Sequence, residues 1–346
     1  MARAGLAAVR ICWLVRIDLE RWRWWLLVLT PGTIVSAAWH LRGHARDASE
    51  HEPQPNHVEI VSAAPDALVG RHVARRVSSE SSNSAPAVEF VAGCELRAET
   101  LRRQLPLECA VIVRAPFVLA GDMSTPELDR WHRETICPAM AAMQASYFDT
   151  PPHEPITVLL FAHETSYNHF AKQLFGDVGL SVYGYYRPQL RTLVLNIGTG
   201  GGTLVHELTH ALVAFDFAEI PEWFNEGLAS LHEACRIRDP AAGLEGLVNW
   251  RLRSLQAAVR NDTVPPLEEL LHGATFRGRQ VGLNYAQARY LCLFLERRGL
   301  LSTFYRELRT NAASDPTGHA TLLALFPGYD WQQLDREFRT WVLELR

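Results

Sequence analysis

The feature that most constrains this 346-residue chain is a pair of histidines four residues apart, with a glutamate beside the first, in the segment GTLVHELTHALVAF (202–215). Its apolar residues recur at helical intervals, which predicts an α-helix starting at Thr203. On a helix, His206 and His210 lie about 40° apart around the axis and ~6 Å apart along it, so both imidazoles can reach one metal ion. Glu207 is turned about 100° from His206, within reach of a water on that ion. This is the His-Glu-x-x-His pattern, with glutamate as general base. The alternative is an amphipathic core helix whose histidines share one face.

A third ligand is available in the following segment, FDFAEIPEWFNEGLASLHEA (215–234). Pro221 suits the first turn of a helix, and Glu226 lies within that helix. Fifteen residues separate His210 from Glu226, which allows a turn and an antiparallel return that faces the carboxylate toward the imidazoles. Two histidines and one carboxylate, with a fourth position left open, are a ligand set suited to catalytic zinc.

The segments HELTH and PEWFNEGLAS together resemble the two motifs of the gluzincin metallopeptidases, which include thermolysin and the neutral zinc aminopeptidases. The resemblance is closer to the compact bacterial peptidase MA-like domains, and it covers roughly residues 110–300. It implies that His206, His210 and Glu226 bind Zn²⁺ and that Glu207 activates the attacking water. The implied fold is a zincin-like core, which is a small mixed sheet with the HExxH helix and the helix of the glutamate ligand.

The chain departs from the gluzincin pattern in three places. The interval to Glu226 is shorter than in thermolysin or the large aminopeptidases, which favours the compact relatives. No Gly-x-Met-Glu-Asn stretch occurs, so the resemblance does not extend to aminopeptidase activity. Ser230 stands where thermolysin-like sites carry an aspartate that orients a histidine, and a hydroxyl is a weaker partner for that task.

Two further features of the site follow from the same resemblance. In gluzincins a tyrosine or histidine outside the two motifs stabilises the oxyanion, and Tyr285 in NYAQARYLCLFL is the candidate here, with Tyr290 and His272 as alternatives. A tyrosine packed in a helical core explains Tyr285 equally well. The segment LRTLVLNI (190–197) resembles the zincin edge strand, which pairs with an extended substrate through backbone hydrogen bonds.

The remaining patterns predict an α+β fold. Strands are expected in CAVIVRAPFVLAG (109–121), ITVLLFA (156–162) and on both sides of Arg187-Pro188 in 181–197. Residues 124–148 read as a helix with Ser124 and Glu127 at capping-box spacing and a kink at Pro138. Beyond Ala242 apolar residues recur at helical intervals. We therefore expect a metallopeptidase core over 88–240 and a helical C-terminal subdomain over 241–346.

The N-terminal region has a different composition from the rest. Arginines precede an uncharged run, WWLLVLTPGTIVSAAW (24–39), whose sixteen residues span ~24 Å as a helix, less than the ~30 Å hydrocarbon core. A cleaved secretory signal, a retained tilted anchor over residues 1–40, and a buried or interfacial helix all remain open. Residues 41–87 are rich in Ser, Pro, His and charge, which predicts a flexible linker. Export or anchoring would place the body in the cell envelope, the periplasm or the medium.

Composition and charge limit the partners. The net charge of −4 gives no electrostatic footprint for nucleic acid. The six cysteines lack metal-ligand spacing, and export would allow a Cys94–Cys109 disulfide, although free buried thiols fit as well. The expected function is zinc-dependent hydrolysis of a peptide or protein substrate, most simply as an endopeptidase. The alternatives are a non-catalytic zincin-fold protein that binds peptide or cell wall, and a zinc hydrolase of another amide or ester. Glu207 favours hydrolysis, because a binding protein needs no general base.

Overall fold

The computed structural model of the chain describes residues 58–60, 84–272 and 276–346. These residues form a mixed five-stranded sheet, a small three-stranded sheet and many helices, so the predicted α+β class is confirmed. The expected signal or anchor (1–40) and most of the expected linker (41–87) lie outside the described residues. Within the described ranges, no helix is long and apolar enough to cross a membrane.

Strands and helices alternate in the first part of the chain, and the described residues beyond 246 form helices without further strands. The strands are β1 (Val58–Ile60), β2 (Ala110–Arg114), β3 (Phe117–Gly121), β4 (Ile156–Phe161), β5 (Gly184–Arg187), β6 (Thr192–Asn196), β7 (Cys235–Ile237) and β8 (Glu245–Gly246). The helices are α1 (Ser84–Gln104), α2 (Thr125–Trp131), α3 (Cys137–Ser146), α4 (Glu164–Phe175), α5 (Gly201–Asp216), α6 (Glu222–His232), α7 (Arg251–Arg260), α8 (Leu267–Leu271), α9 (Val281–Arg297), α10 (Leu301–Asn311), α11 (His319–Ala324) and α12 (Trp331–Glu344).

The main sheet has the strand order β2-β3-β4-β6-β5. The three central strands are parallel to one another, and β2 and β5 pair antiparallel at the two edges. The expectation that residues 190–197 form the edge strand is therefore wrong, because β6 lies between β4 and β5. Every residue of β6 is buried, as in a strand covered on both faces, whereas three of the four residues of β5 are partly exposed.

The helix predicted over residues 124–148 is interrupted at its middle. A π-helical segment, His132–Ile136, separates α2 from α3, and Pro138 lies in the first turn of α3. Because proline has no N–H to donate, the regular ladder of helical hydrogen bonds cannot pass through it. At the N-terminus, a carboxylate oxygen of Glu127 accepts hydrogen bonds from the N–H and hydroxyl of Ser124, at 2.9 and 2.6 Å, as the capping-box spacing predicts.

One hydrophobic core joins the sheet to the C-terminal helices. It contains Leu195 of β6, Leu208 of α5, Leu228 of α6, Leu291 of α9 and Phe338 of α12, all of them buried. Helix α6 packs between α5 and α9 at the centre of this core. Helix α9 of the C-terminal region thus packs against α6, and this packing fixes where α6 places its side chains.

The structure differs from the sequence-based expectations for the linker and for the possible disulfide. Strand β1 lies within residues 41–87 and pairs in parallel with β7, with Glu59 and Arg236 in an ion pair at 2.7 Å. Helix α1 begins at Ser84, four residues before the expected start of the body. Cys94 and Cys109 are both buried and free, so the possible disulfide between them is not formed.

Candidate metal centre

Helix α5 starts from a sharp turn after β6. Gly200 precedes the helix with φ of 101°, a backbone conformation that favours glycine, and the helix begins at Gly201, two residues before the predicted start. The buried face of α5 packs on the core through residues such as Leu204 and Leu208. His206 and His210 lie on the same side of the helix and remain slightly open to solvent, with side-chain exposures of 15% and 12%.

Helix α6 returns beside α5 and carries the third candidate ligand. Its start is fixed by Trp223, which is buried and donates its indole N–H to the carbonyl oxygen of Thr317 at 2.9 Å. At Gly227 the helix approaches α9 so closely that a Cβ there would lie 2.8 Å from the carbonyl oxygen of Ala288. These contacts direct Glu226, the neighbour of Gly227, toward the two histidines.

The structure brings His206, His210 and Glu226 together as the sequence predicts, with one ligand atom of each within 4.8 Å of the others. The two Nε2 atoms are 3.2 Å apart, and each lies 3.6 Å from Oε2 of Glu226. Two ligands bound at about 2.1 Å to one tetrahedral ion would be separated by about 3.4 Å. The observed triangle therefore has the dimensions of a tetrahedral metal site.

The two oxygens of Glu226 have different environments. Oε1 accepts a hydrogen bond from Nη2 of Arg277 at 2.7 Å, whereas Oε2 is buried and has no hydrogen-bond partner in the described part of the chain. A buried carboxylate oxygen without a donor is unfavourable, and a cation among Oε2 and the two Nε2 atoms would satisfy it. The residues present thus fit a divalent metal ion, and two imidazoles with one carboxylate suit zinc.

Helix α6 also supplies the groups behind the two imidazoles. Oδ1 of Asn225 lies 2.9 Å from Nδ1 of His210. Because this oxygen only accepts hydrogen bonds, Nδ1 carries a proton, and in the neutral imidazole the lone pair of Nε2 therefore faces the ligand cluster. Oε2 of Glu233 lies 4.0 Å from Nδ1 of His206 and 2.7 Å from Nη1 of Arg251. Ser230, the residue that replaces the aspartate of thermolysin-like sites, has a buried hydroxyl without a partner among the described residues.

Charge and burial shift the pKa values of the cluster. Burial raises the pKa of Glu207, although the two neighbouring histidines oppose the shift. Burial lowers the pKa of His210, but the charge and hydrogen bond of Glu226, the charge of Glu207 and the hydrogen bond of Asn225 together outweigh burial and raise it to about 9. Burial raises the pKa of Glu226, but His210 and the other cationic groups outweigh burial and hold it well below its usual range. A proton and a metal ion therefore compete for His210 at neutral pH.

Of the three candidates for the oxyanion donor, only Tyr285 is tied to the ligand cluster. Its hydroxyl lies 3.1 Å from Nη1 of Arg277, the residue that holds Glu226. Burial and then the charge of Glu226 raise the pKa of Tyr285 well above its usual range, so the phenol keeps its proton. The hydroxyl of Tyr290 instead accepts from the N–H of Asn249 at 3.0 Å, and the ring of His272 stacks on another histidine of the C-terminal region.

No family model matches the sequence, and no curated protein matches it either. Three residues that lie beside the candidate ligands were not predicted from the sequence. Asn225 precedes the ligand Glu226, and Glu233 follows Glu226 by seven residues, two helical turns along the same face, which is a signal that the sequence contains. Arg277 lies far from both motifs, and nothing in the local sequence indicates its contact with Glu226.

Proposed function

We propose that this chain is a zinc-dependent peptide hydrolase of the gluzincin type, with His206, His210 and Glu226 as metal ligands and Glu207 as general base. The observation that carries the proposal is the buried, unpartnered Oε2 of Glu226, which faces two Nε2 atoms at 3.6 Å. A zinc ion held there supplies a Lewis acid and lowers the pKa of a water to about 7.

Glu207 has the position and the environment of a general base. It lies on α5 beside His206, and only 8% of its surface is exposed. Burial raises its pKa above the usual value for glutamate, which makes the carboxylate a stronger proton acceptor. Glu207 would take the proton of the attacking water and then give it to the nitrogen of the leaving amine.

Tyr285 is the proposed hydrogen-bond donor to the oxyanion. Its phenol stays protonated, and Arg277 holds the hydroxyl on the side of Glu226. A donor already placed where negative charge develops stabilises the transition state without reorganisation. Asn225 contributes indirectly, because it fixes the tautomer of His210.

The edge strand β5 suits an extended peptide substrate. It is paired on one side with β6 and packs against α5, the helix that carries both histidines. The free edge of such a strand offers backbone N–H and C=O groups to a peptide of almost any sequence. The strand and the helix pair α5 and α6 are the parts of a zincin-like core, which we propose for residues 88–240. We propose that the enzyme acts outside the cytoplasm, in the periplasm, the medium or anchored at the membrane, in line with its N-terminal apolar run.

The test is turnover of a quenched-fluorescent peptide library by the full-length chain and by its Glu207→Gln variant, with zinc content measured in parallel. Loss of the base should lower kcat by about 10²–10⁴ while zinc remains bound. Glu219→Gln, at an exposed position in the turn after α5, is the matched control and should keep full activity. Undiminished turnover by Glu207→Gln would refute the mechanism. Stoichiometric zinc without any cleavage would instead support a non-catalytic protein that binds peptide or cell wall.

A further inference from the structure

A second group of potential metal ligands lies among the C-terminal helices, and it shares no residue with the first. It comprises Glu268 of α8, His272 at the end of that helix and His319, the first residue of α11. One ligand atom of each lies within 4.8 Å of the others. Glu268 and His272 are four residues apart and so project from the same side of α8. Nε2 of His319 lies 2.9 Å from Oε1 of Glu268 across a separation of 51 residues.

The histidine from α11 is held in position. Its ring packs on Trp331 with a centroid distance of 4.6 Å and on His272 at 5.7 Å. The start of α11 is fixed by Asp315, whose carboxylate accepts the N–H of Thr321 at 2.7 Å. Side chains that are already held in place lose little conformational entropy when they bind an ion. This favours a defined metal site over a chance grouping of surface side chains.

The cluster is also open to solvent. The side chain of Glu268 is 47% exposed and that of His319 is 33% exposed. An ion pair between side chains this exposed contributes little to the stability of the fold. It also gives no reason for the third donor, His272, to lie beside the pair. Two imidazoles and a carboxylate are donors of intermediate softness that suit Zn²⁺, and water can complete the coordination.

We propose that Glu268, His272 and His319 form a second divalent-metal site, selective for zinc-like cations, that clamps α8 to α11. An ion there would strengthen the link between two chain segments that the ion pair of Glu268 with His319 and the ring contact of His272 with His319 already join. His272 lies five residues along the chain before Arg277, whose guanidinium donates a hydrogen bond to Glu226. The proposal does not depend on the hydrolytic function, because it concerns different residues and is tested by metal content.

The experiment is zinc titration of the full-length chain against a chromophoric chelator, with bound zinc counted after removal of the free ion. The native chain should bind two ions, of which the more weakly held is absent in His319→Ala and in His272→Ala. Glu226→Ala should lose the other ion instead. His169→Ala, at an exposed histidine outside both groups, is the control and should bind two ions. Equal zinc content in the native chain, His319→Ala and His272→Ala would overturn the proposal, and so would loss of the same ion in His169→Ala.

A second measurement separates loss of the site from loss of folding. All variants are first unfolded in urea with chelator present, where His272→Ala should match the native chain because its side chain is exposed. Free zinc at 100 times the dissociation constant of the weaker site multiplies the folded-to-unfolded ratio by about 100 when an ion binds only the folded chain. The weaker site should produce this increase in Glu226→Ala and not in the double variant Glu226→Ala, His272→Ala. An equal response of the two would contradict the proposal.

Discussion

Replacement of Asn225 by leucine would remove one contact behind the metal cluster and leave its ligands unchanged. Oδ1 of Asn225 accepts the Nδ1–H of His210 at 2.9 Å. Leucine has the same branched skeleton but no acceptor, so the imidazole could place its proton on either nitrogen and turn about its own axis. In the tautomer with the proton on Nε2, His210 cannot bind a metal ion through that atom.

Two estimates of the loss of zinc affinity in Asn225→Leu agree. A buried donor left without its acceptor costs about 1–3 kcal/mol, and the side chain of His210 is only 12% exposed, so water replaces the lost partner poorly. Loss of an outer partner of a metal-bound histidine weakens metal affinity by about 10–100-fold, which is about 1.4–2.7 kcal/mol. We therefore expect the zinc dissociation constant of Asn225→Leu to rise by about 10–100-fold.

The assay is competition for zinc with a chelator of known affinity, carried out at fixed pH because His210 also binds protons. Asn225→Asp is the matched control, since it keeps an acceptor and adds negative charge, and it should bind zinc at least as tightly as the native chain. Urea unfolding with chelator present checks that both variants keep their stability. A dissociation constant for Asn225→Leu within about threefold of the native value would refute the role of Asn225 in fixing the tautomer.

Two further predictions concern the framework that holds the site. Gly227→Ala should lower the free energy of unfolding by about 1–3 kcal/mol in urea, because its Cβ would overlap the carbonyl of Ala288, whereas Gly282→Ala, in open space on α9, should raise it by about 0.5–1 kcal/mol. Asp216 is fully buried, and although burial raises its pKa, hydrogen bonds led by the N–H of Thr150 lower it overall. Its stabilising effect is therefore present above the unfolded pKa of about 3.9 and is lost as pH falls through the folded value. Asp216→Asn should cost about 3 kcal/mol in urea unfolding at pH 7 and less at pH 3, where part of the stabilising effect of the carboxylate is already lost, and an equal loss at both would contradict this.

The strands of the main sheet and most of the helices could be predicted because they follow from local periodicity, but β1, β7, β8 and the order of strands could not. The apolar run of β6 indicates a buried strand and does not say which strands flank it. Its resemblance to a zincin edge strand led to the wrong position, although the more polar GYYR of β5 is the better candidate for an edge. Strand order depends on contacts between segments far apart in the chain, and local patterns do not contain them.

The same limit applies to the site. His206, His210 and Glu226 could be predicted because each helix fixes its own side chains by geometry, and a short turn joins the two helices. Tyr285 was proposed by resemblance, and the structure places its hydroxyl beside Arg277. Arg277 follows Glu226 by 51 residues, an interval that includes helices α7 and α8, so their contact depends on the packing of the C-terminal region.

The contact between Arg277 and Glu226 affects whether a metal ion held by the cluster could act in catalysis. If both oxygens of Glu226 bound the ion, they and the two imidazoles would fill all four positions of a tetrahedral site. Arg277 donates to Oε1 and leaves Oε2 to face the histidines, so the carboxylate would supply one ligand atom to a bound ion and would leave room for water or substrate. The guanidinium is in turn paired with Glu222 and hydrogen-bonded to Tyr285. One arginine outside both motifs thus couples the coordination of Glu226 to the position of the proposed oxyanion donor, which explains why α6 must be fixed by the C-terminal helices.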